Sequence, residues 1–351
     1  MTAGYSRLSF RDSPKGWSRR ASKTRVNALM RAPRNDAVAL SLAFVMGLAL
    51  ACVPASAETK LRVGKAQPNQ FAFVPADIGV DTGIFKKRGL DVEISAFGGD
   101  ARMMQALAAD GIDIALGGGP AFATIVKGSP MKAVAALANA PNTIMMVVLK
   151  DGPIKSTDDL KDKKVSVSTA GSLTYWLTMQ LSRSKGWGND GIKIVPLGAA
   201  TAQTAALKTK QVDGVTTDSV TVYNIVEEGS GRILVKFGDS VKDFHVHVIY
   251  AGDKLIASNP EGLKAFLAGW MEAVRFMRDN KAEAIDIAAQ RTGVSKAVAT
   301  EGYDDTMPIF NTTGHFEPKA LDVLAASFVD TKLLPERPDM SKLLTEACLP
   351  K

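Results

Sequence analysis

Residues 92–113 and 192–213 match each other at an offset of 100 positions: Val92, Ile94, Gly98, Ala106, Leu107, Ile112 and Asp113 stand against Ile192, Ile194, Gly198, Ala206, Leu207, Val212 and Asp213. Each copy reads as a strand, a glycine loop, a helix and a second strand that opens on a hydrophobic residue and Asp. A further strand and helix precede each copy, Leu61 to Lys87 in one and Lys164 to Lys185 in the other. Strands alternating with short helices predict a mostly parallel sheet covered on both faces. The duplication therefore predicts two similar α/β lobes.

Lobes of this kind bind ligands outside the carboxyl ends of their parallel strands. If the two face each other, residues 67–71, 98–100 and 117–120 of the first lobe meet residues 169–175, 199–201 and 216–218 of the second in one cleft. The stretch Lys163 to Gly186 supplies the main contribution of the second lobe. Val165 and Val167 alternate with Ser166 and Ser168 at the strand period, while Leu173, Trp176, Leu177 and Leu181 share one helical face. Between them, Thr169 or Ser172 can cap the helix and Gly171 lets the backbone approach another molecule closely.

The remaining segments follow in order. A helix is predicted over 73–87 and another over 100–109. The runs 138–150 and 238–250 read as two crossings between lobes, which form a hinge. The expected division is 58–140 plus 248–351 for the first lobe and 141–247 for the second. Asn259 caps and Pro260 opens a helix whose Leu263, Phe266, Leu267, Trp270, Met271, Val274 and Met277 form one apolar stripe for core packing. The shorter helices after it are expected to pack back on the first lobe.

The formal charge of +7 suggests a polyanionic partner until its distribution is read. Residues 1–57 hold nine Lys/Arg against two Asp/Glu, whereas residues 58–351 hold 34 of each sign, so no nucleic-acid partner is expected. Within the leader, Arg31 and Arg34 precede the apolar run Ala37 to Val53, and Ala55-Ser56-Ala57 gives the small-x-small pattern of signal-peptidase cleavage. The mature chain is expected to start at Glu58 and to be periplasmic. The polar residues before Met30 leave that methionine as an alternative start, and Cys52 is a loose lipidation candidate. Cys348 is then the one mature cysteine, which excludes an internal disulfide and a cysteine-based zinc site.

Catalytic motifs are absent: no G-x-S-x-G, P-loop, G-x-G-x-x-G, H-E-x-x-H or calcium loop occurs. His245 and His247 share a strand face but lack a third ligand, and Asp158-Asp159 and Glu227-Glu228 read as helix ends. No metal or cofactor is expected. The cleft loops offer neutral polar groups instead, Gln67, Asn69, Gln70, Asn142, Ser168, Thr169, Ser172, Thr174, Thr201 and Thr217, with Phe71, Phe73 and Tyr175 as apolar walls, and Trp176 as a fourth unless its place on the helix's apolar stripe turns it to the core. Helix-end N–H groups and hydroxyls would hold an anionic group. Asp218 either meets an amine on the ligand or caps the helix that follows it.

Four segments carry a family resemblance: Gly83-Ile84-Phe85-Lys86-Lys87-Arg88-Gly89-Leu90-Asp91-Val92-Glu93, Gly111-Ile112-Asp113-Ile114-Ala115, Asp158-Asp159-Leu160-Lys161-Asp162-Lys163-Lys164-Val165 and Val212-Asp213-Gly214-Val215. Together they resemble the sulfonate/nitrate/taurine-type substrate-binding proteins of ABC importers, over nearly all of residues 60–335. The resemblance implies a type II periplasmic-binding-protein fold, two α/β lobes on a hinge. It implies a monomer that delivers a small solute to a membrane permease and its ATPase, without catalysis. It places the anionic head of the ligand at Thr169, Gly171, Ser172 and Thr174, and the loop after the third strand at Gly118, Gly119 and Pro120. Glycines stand there in place of frequent serines, which removes hydroxyl donors and leaves sulfonate, carboxylate, nitrate-like and pyrimidine-type ligands open. Pyrimidine-forming thiamine-biosynthesis enzymes share the fold group but depend on a cysteine-rich motif that this chain lacks, and a solute-sensing module is the third reading.

Overall fold

The computed structural model describes residues 58–351; the leader, its cleavage site and Cys52 lie outside the described residues. Ten strands form two sheets of five. The strands are β1 (Thr59–Lys65), β2 (Leu90–Ala96), β3 (Ile114–Gly118), β4 (Met131–Ala138), β5 (Ile144–Leu149), β6 (Lys164–Val167), β7 (Lys193–Pro196), β8 (Gly214–Asp218), β9 (Gly231–Lys236) and β10 (His247–Gly252). The first sheet runs β2-β1-β3-β10-β4 and the second β7-β6-β8-β5-β9. The same order occurs twice. In each sheet four strands run one way, and the fourth in spatial order, β10 or β5, runs against both of its neighbours.

Helices cover both sheets. They are α1 (Val74–Asp81), α2 (Ile84–Lys87), α3 (Asp100–Ala108), α4 (Phe122–Val126), α5 (Leu173–Ser184), α6 (Ala200–Lys208), α7 (Ser219–Glu227), α8 (Asp253–Ser258), α9 (Pro260–Asp279), α10 (Lys281–Thr292), α11 (Lys296–Thr306) and α12 (Pro318–Asp330). None of the described helices is long and apolar enough to cross a membrane.

The repeated Asp has a structural reason. Asp113 accepts the backbone N–H of Arg62 at 2.7 Å, and Asp213 accepts that of Lys164 at 2.9 Å. Each carboxylate thus ties its strand to the adjacent strand of its sheet, β1 or β6, and Arg62 adds two guanidinium bonds to Asp113 at 2.7 and 3.0 Å. The repeated glycines, Gly98 and Gly198, both take positive φ, 68° and 80°, and turn the chain from an outer strand into a helix.

Three expectations need correction. The helix expected over 73–87 is split into α1 and α2, because Thr82 bonds back to the Ile78 carbonyl at 2.6 Å and Gly83, at φ 69°, ends the first piece. The crossings expected over 138–150 and 238–250 are narrower. Their apolar halves are β5 and β10, which insert as the antiparallel strands of opposite sheets, so only about residues 139–143 and 237–246 pass between lobes. Finally, α11 does not pack on the first lobe alone. A Cβ on its Gly302 would stand 2.7 Å from Val220 of α7 and 2.8 Å from Phe71 near β1, so the helix is wedged between lobes.

The stripe on α9 is buried as expected, with Leu263, Phe266, Leu267, Trp270 and Met277 sealed from solvent. Phe266 stacks on Phe85 with ring centroids 5.1 Å apart. Each such side chain contributes roughly 1.5–3 kcal/mol of burial free energy, so this helix anchors the first lobe.

Candidate functional site

The loops at the carboxyl ends of the strands enclose a cavity of about 40 Å³ between the two sheets. After β1 come Ala66, Gln67, Gln70 and Phe73; α3 begins with Asp100 and β3 ends with Gly118. The second sheet contributes Ser168, Leu173 and Thr174 after β6, with Thr217 and Asp218 at the end of β8. Ile144 and His247, the first residues of the two crossing strands, complete the wall.

Asp218 is buried and does two things at once. It caps α7, accepting the Thr221 N–H at 2.8 Å, and takes hydroxyl bonds from Thr221 at 2.8 Å and Thr217 at 3.2 Å. Asp100 accepts the Gly118 N–H at 2.8 Å. Asp100 is partly exposed at the cleft margin. Burial raises the pKa of both acids, and the neutral donors around them offset only part of that. The lining includes no Lys or Arg. A second negative charge about 4 Å from either carboxylate would be opposed by roughly 4 kcal/mol at an effective dielectric near 20.

The glycine loop is held from below. The buried Tyr250 hydroxyl donates to the carbonyls of Gly118 at 2.8 Å and Gly119 at 3.2 Å. His247 pairs with the Thr143 hydroxyl at 3.3 Å through Nε2, and burial keeps its ring neutral, with the pKa down to about 3. His245 accepts the Glu317 N–H on Nε2 at 2.9 Å and faces Asn139 Oδ1 with Nδ1 at 3.1 Å, so both its nitrogens serve the hinge.

The lobes are in contact around the cavity. A Cβ on Gly99 would lie 2.6 Å from the Thr169 methyl, and Gln67 Nε2 reaches the Gly198 carbonyl at 3.4 Å. Outside the cavity, Arg183 pairs with Asp330 at 2.5 Å and Tyr223 donates to Asp305 at 2.5 Å, each from the second lobe to a helix of the first. The two lobes thus touch both at the cavity and beyond it.

Of the residues expected to bind ligand, Gln67, Gly118, Thr174 and Asp218 line the cavity. Ser172 caps α5 and joins Ser168 and Thr174 in a hydroxyl cluster with spacings of 3.0–3.1 Å. Thr169 sits at the contact between lobes and Gly171 lies against Leu333. Others are set apart for steric reasons. Phe71 is fully buried, edge-on to Tyr303 at 6.3 Å. Gly119 packs on the His245 carbonyl, Pro120 is buried in the turn after it, and Asn142 packs on Gly238 in the hinge. Tyr175 is half-buried and does not line the cavity. Asn69 and Thr201 face a different depression of about 350 Å³. Gln70, Thr217 and Phe73, which the sequence also puts in the cleft loops, line it too, and Asp100 and His247 join them. For Asp100 the available signal was an acid directly after Gly98-Gly99 in a loop already assigned to the cleft.

A Brucella abortus protein named provisionally as a binding protein is 27% identical over 263 residues, 74% of this chain and 79% of its own. A Haemophilus influenzae protein named provisionally for thiamine biosynthesis is 32% identical over 177 residues, 49% of this chain and 54% of its own. The alkanesulfonate-binding protein of Xanthomonas axonopodis pv. citri, solved with MOPS, superposes with a TM-score of 0.72 at 18% identity, covering 83% of this chain and 99% of that one. The fold is thus that of the periplasmic binding proteins. Residues 70–284 match the family described as NMT1/THI5 like, and the chain belongs to that family.

Proposed function

We propose that this chain is the extracytoplasmic solute-binding component of an ABC importer, which captures a small organic solute between its lobes and presents it to a permease and ATPase without chemical turnover. The observation that carries this reading is the cavity wall: residues from both sheets line it, so a ligand there stabilises the closed arrangement through contacts with each lobe. The binding-protein name of the Brucella relative and the sulfonate-binding structural neighbour support it. In this reading the first lobe is 58–140 with 248–351 and the second 141–247. The leader exports the protein, and a monomer docks on the permease.

The test is a thermal-shift and small-angle-scattering screen of the protein, unfolded and refolded to remove carried-over ligand, against sulfonates, carboxylates, amines, amidines, guanidines and pyrimidines. A ligand at a hundred times its dissociation constant stabilises by about 2.7 kcal/mol. A hit that also reduces the radius of gyration supports the reading, and a rise in melting temperature with no compaction counts against hinge capture. A second reading, a pyrimidine-forming enzyme, is favoured by the Haemophilus relative. Against it, Cys348, the one cysteine among the described residues, is buried in the C-terminal segment and does not line the cavity.

A further inference from the structure

We propose that the cleft takes an organic cation, a protonated amine, amidine or guanidine, whose N–H groups bridge Asp100 of the first lobe and Asp218 of the second. This rests on the solute-binding reading and names the class of solute. Helix N-termini facing a cleft ordinarily favour anions. Two of those here are filled by the protein's own groups: Asp218 caps α7 and Ser172 caps α5. The N-terminus of α3 has no side-chain cap, but its first residue is Asp100, which lines the same cavity. An anionic head would meet a capped terminus or a carboxylate.

The remaining polar atoms ask for donors. Among the described residues Asp100 receives the Gly118 N–H alone, so Oδ2 has no donor. Asp218 is 2% exposed and surrounded by hydroxyl and amide donors, none of them charged. Gln70, 3% exposed, lines the same cavity with its Oε1 unpaired, and Gln67 Oε1 is also unpaired. The buried cation nearest in sequence, Lys65, is bound to Asp77 at 2.8 Å. Two carboxyls from opposite lobes, with unpaired amide oxygens beside them, form an acceptor-rich site that the protein itself does not neutralise. A ligand carrying both a positive charge and several N–H donors supplies what is missing, and it meets both lobes. A cavity of about 40 Å³ fits a charged group of a few heavy atoms.

Matched ions of opposite sign test this directly. Guanidinium and nitrate are both flat, trigonal and similar in size, and acetamidinium and acetate differ only in N–H groups for oxygens. Titration calorimetry at constant ionic strength should show guanidinium and acetamidinium binding at least about a hundredfold more tightly than nitrate and acetate. Asp100→Asn and Asp218→Asn should each weaken cation binding at least about tenfold. Asn at 218 can still cap α7, and unchanged thermal melting of the free variants checks folding. Nitrate or acetate binding more tightly than its cationic partner overturns the cation assignment while leaving the solute-binding reading intact. Cation affinity unchanged in both variants overturns the site. No ion of either sign binding, with no hit or compaction in the wider screen, sinks both.

Discussion

The two lobes share a scaffold but have exchanged residues where they meet the cleft. Gly117-Gly118 ends β3 where Thr217-Asp218 ends β8, and α3 opens with Asp100 where α6 opens with Ala200. Each lobe therefore brings one carboxyl to the cavity, but from a different element. Volume explains the exchange. A Cβ on Gly118 would stand 3.2 Å from Asp100 Oδ2 and 3.3 Å from the Leu173 Cβ. A helix carboxyl and a strand side chain compete for one space, and each lobe has settled that competition differently. The crossing strands follow suit: His247 pairs with Gly118, while Ile144 pairs with Asp218. Duplication has kept what the backbone needs and let the cleft diverge.

Residue transplants between lobes should break this comparison, most severely at Gly119, whose counterpart is Ser219. A Cβ there overlaps the His245 carbonyl oxygen, so Gly119→Ser should cost about 3 kcal/mol or more in urea unfolding. An unchanged midpoint would show that the hinge backbone yields freely.

His247→Ile gives the first lobe the residue of the second and isolates a pH term. Burial holds the folded-state pKa near 3, while the unfolded chain takes up a proton below about 6.5. The unfolded state therefore binds more protons between those values. The parent should lose stability on acidification below pH 6.5, by up to about 1.4 kcal/mol per unit from this group. The variant should lose less over the same range, read from urea midpoints at several pH values. Parallel curves would remove the assignment of a neutral His247.

The smallest effect sharpens the shared part of the scaffold. Asp113→Asn and Asp213→Asn remove equivalent strand ties, but only Asp113 also holds a guanidinium. The first should cost about 1.5–3 kcal/mol and the second about 0.5–1.5 kcal/mol by thermal unfolding. Equal losses would mean that Arg62 contributes nothing.

The duplication was legible because its markers perform backbone work. Asp113 and Asp213 tie strands, Gly98 and Gly198 turn the chain, and such roles admit few residue types. The caps Ser172 and Asn259 and the α9 stripe were legible for the same reason, each being fixed by local geometry. Asp100 was not, since an acid at a helix start suits any helix dipole and only the tertiary arrangement turns its carboxyl toward Gly118. Asn69 and Thr201 show the converse. They occupy cleft loops in sequence, yet their positions within those loops aim them at the outer depression. The bridging role of α11 was hidden because Gly302 reveals itself only through its neighbours Phe71 and Val220.

The place of β10 between β3 and β4 bears on how the polypeptide matures. About 100 residues separate the end of β4 from the start of β10, and the entire second sheet lies within that interval. At ~5–20 residues per second a ribosome needs roughly 5–20 s to cross it. Throughout that delay the facing edges of β3 and β4 await a partner still to be synthesised. The first-made half thus completes its sheet last, a long-range closure that slows compaction of the nascent chain.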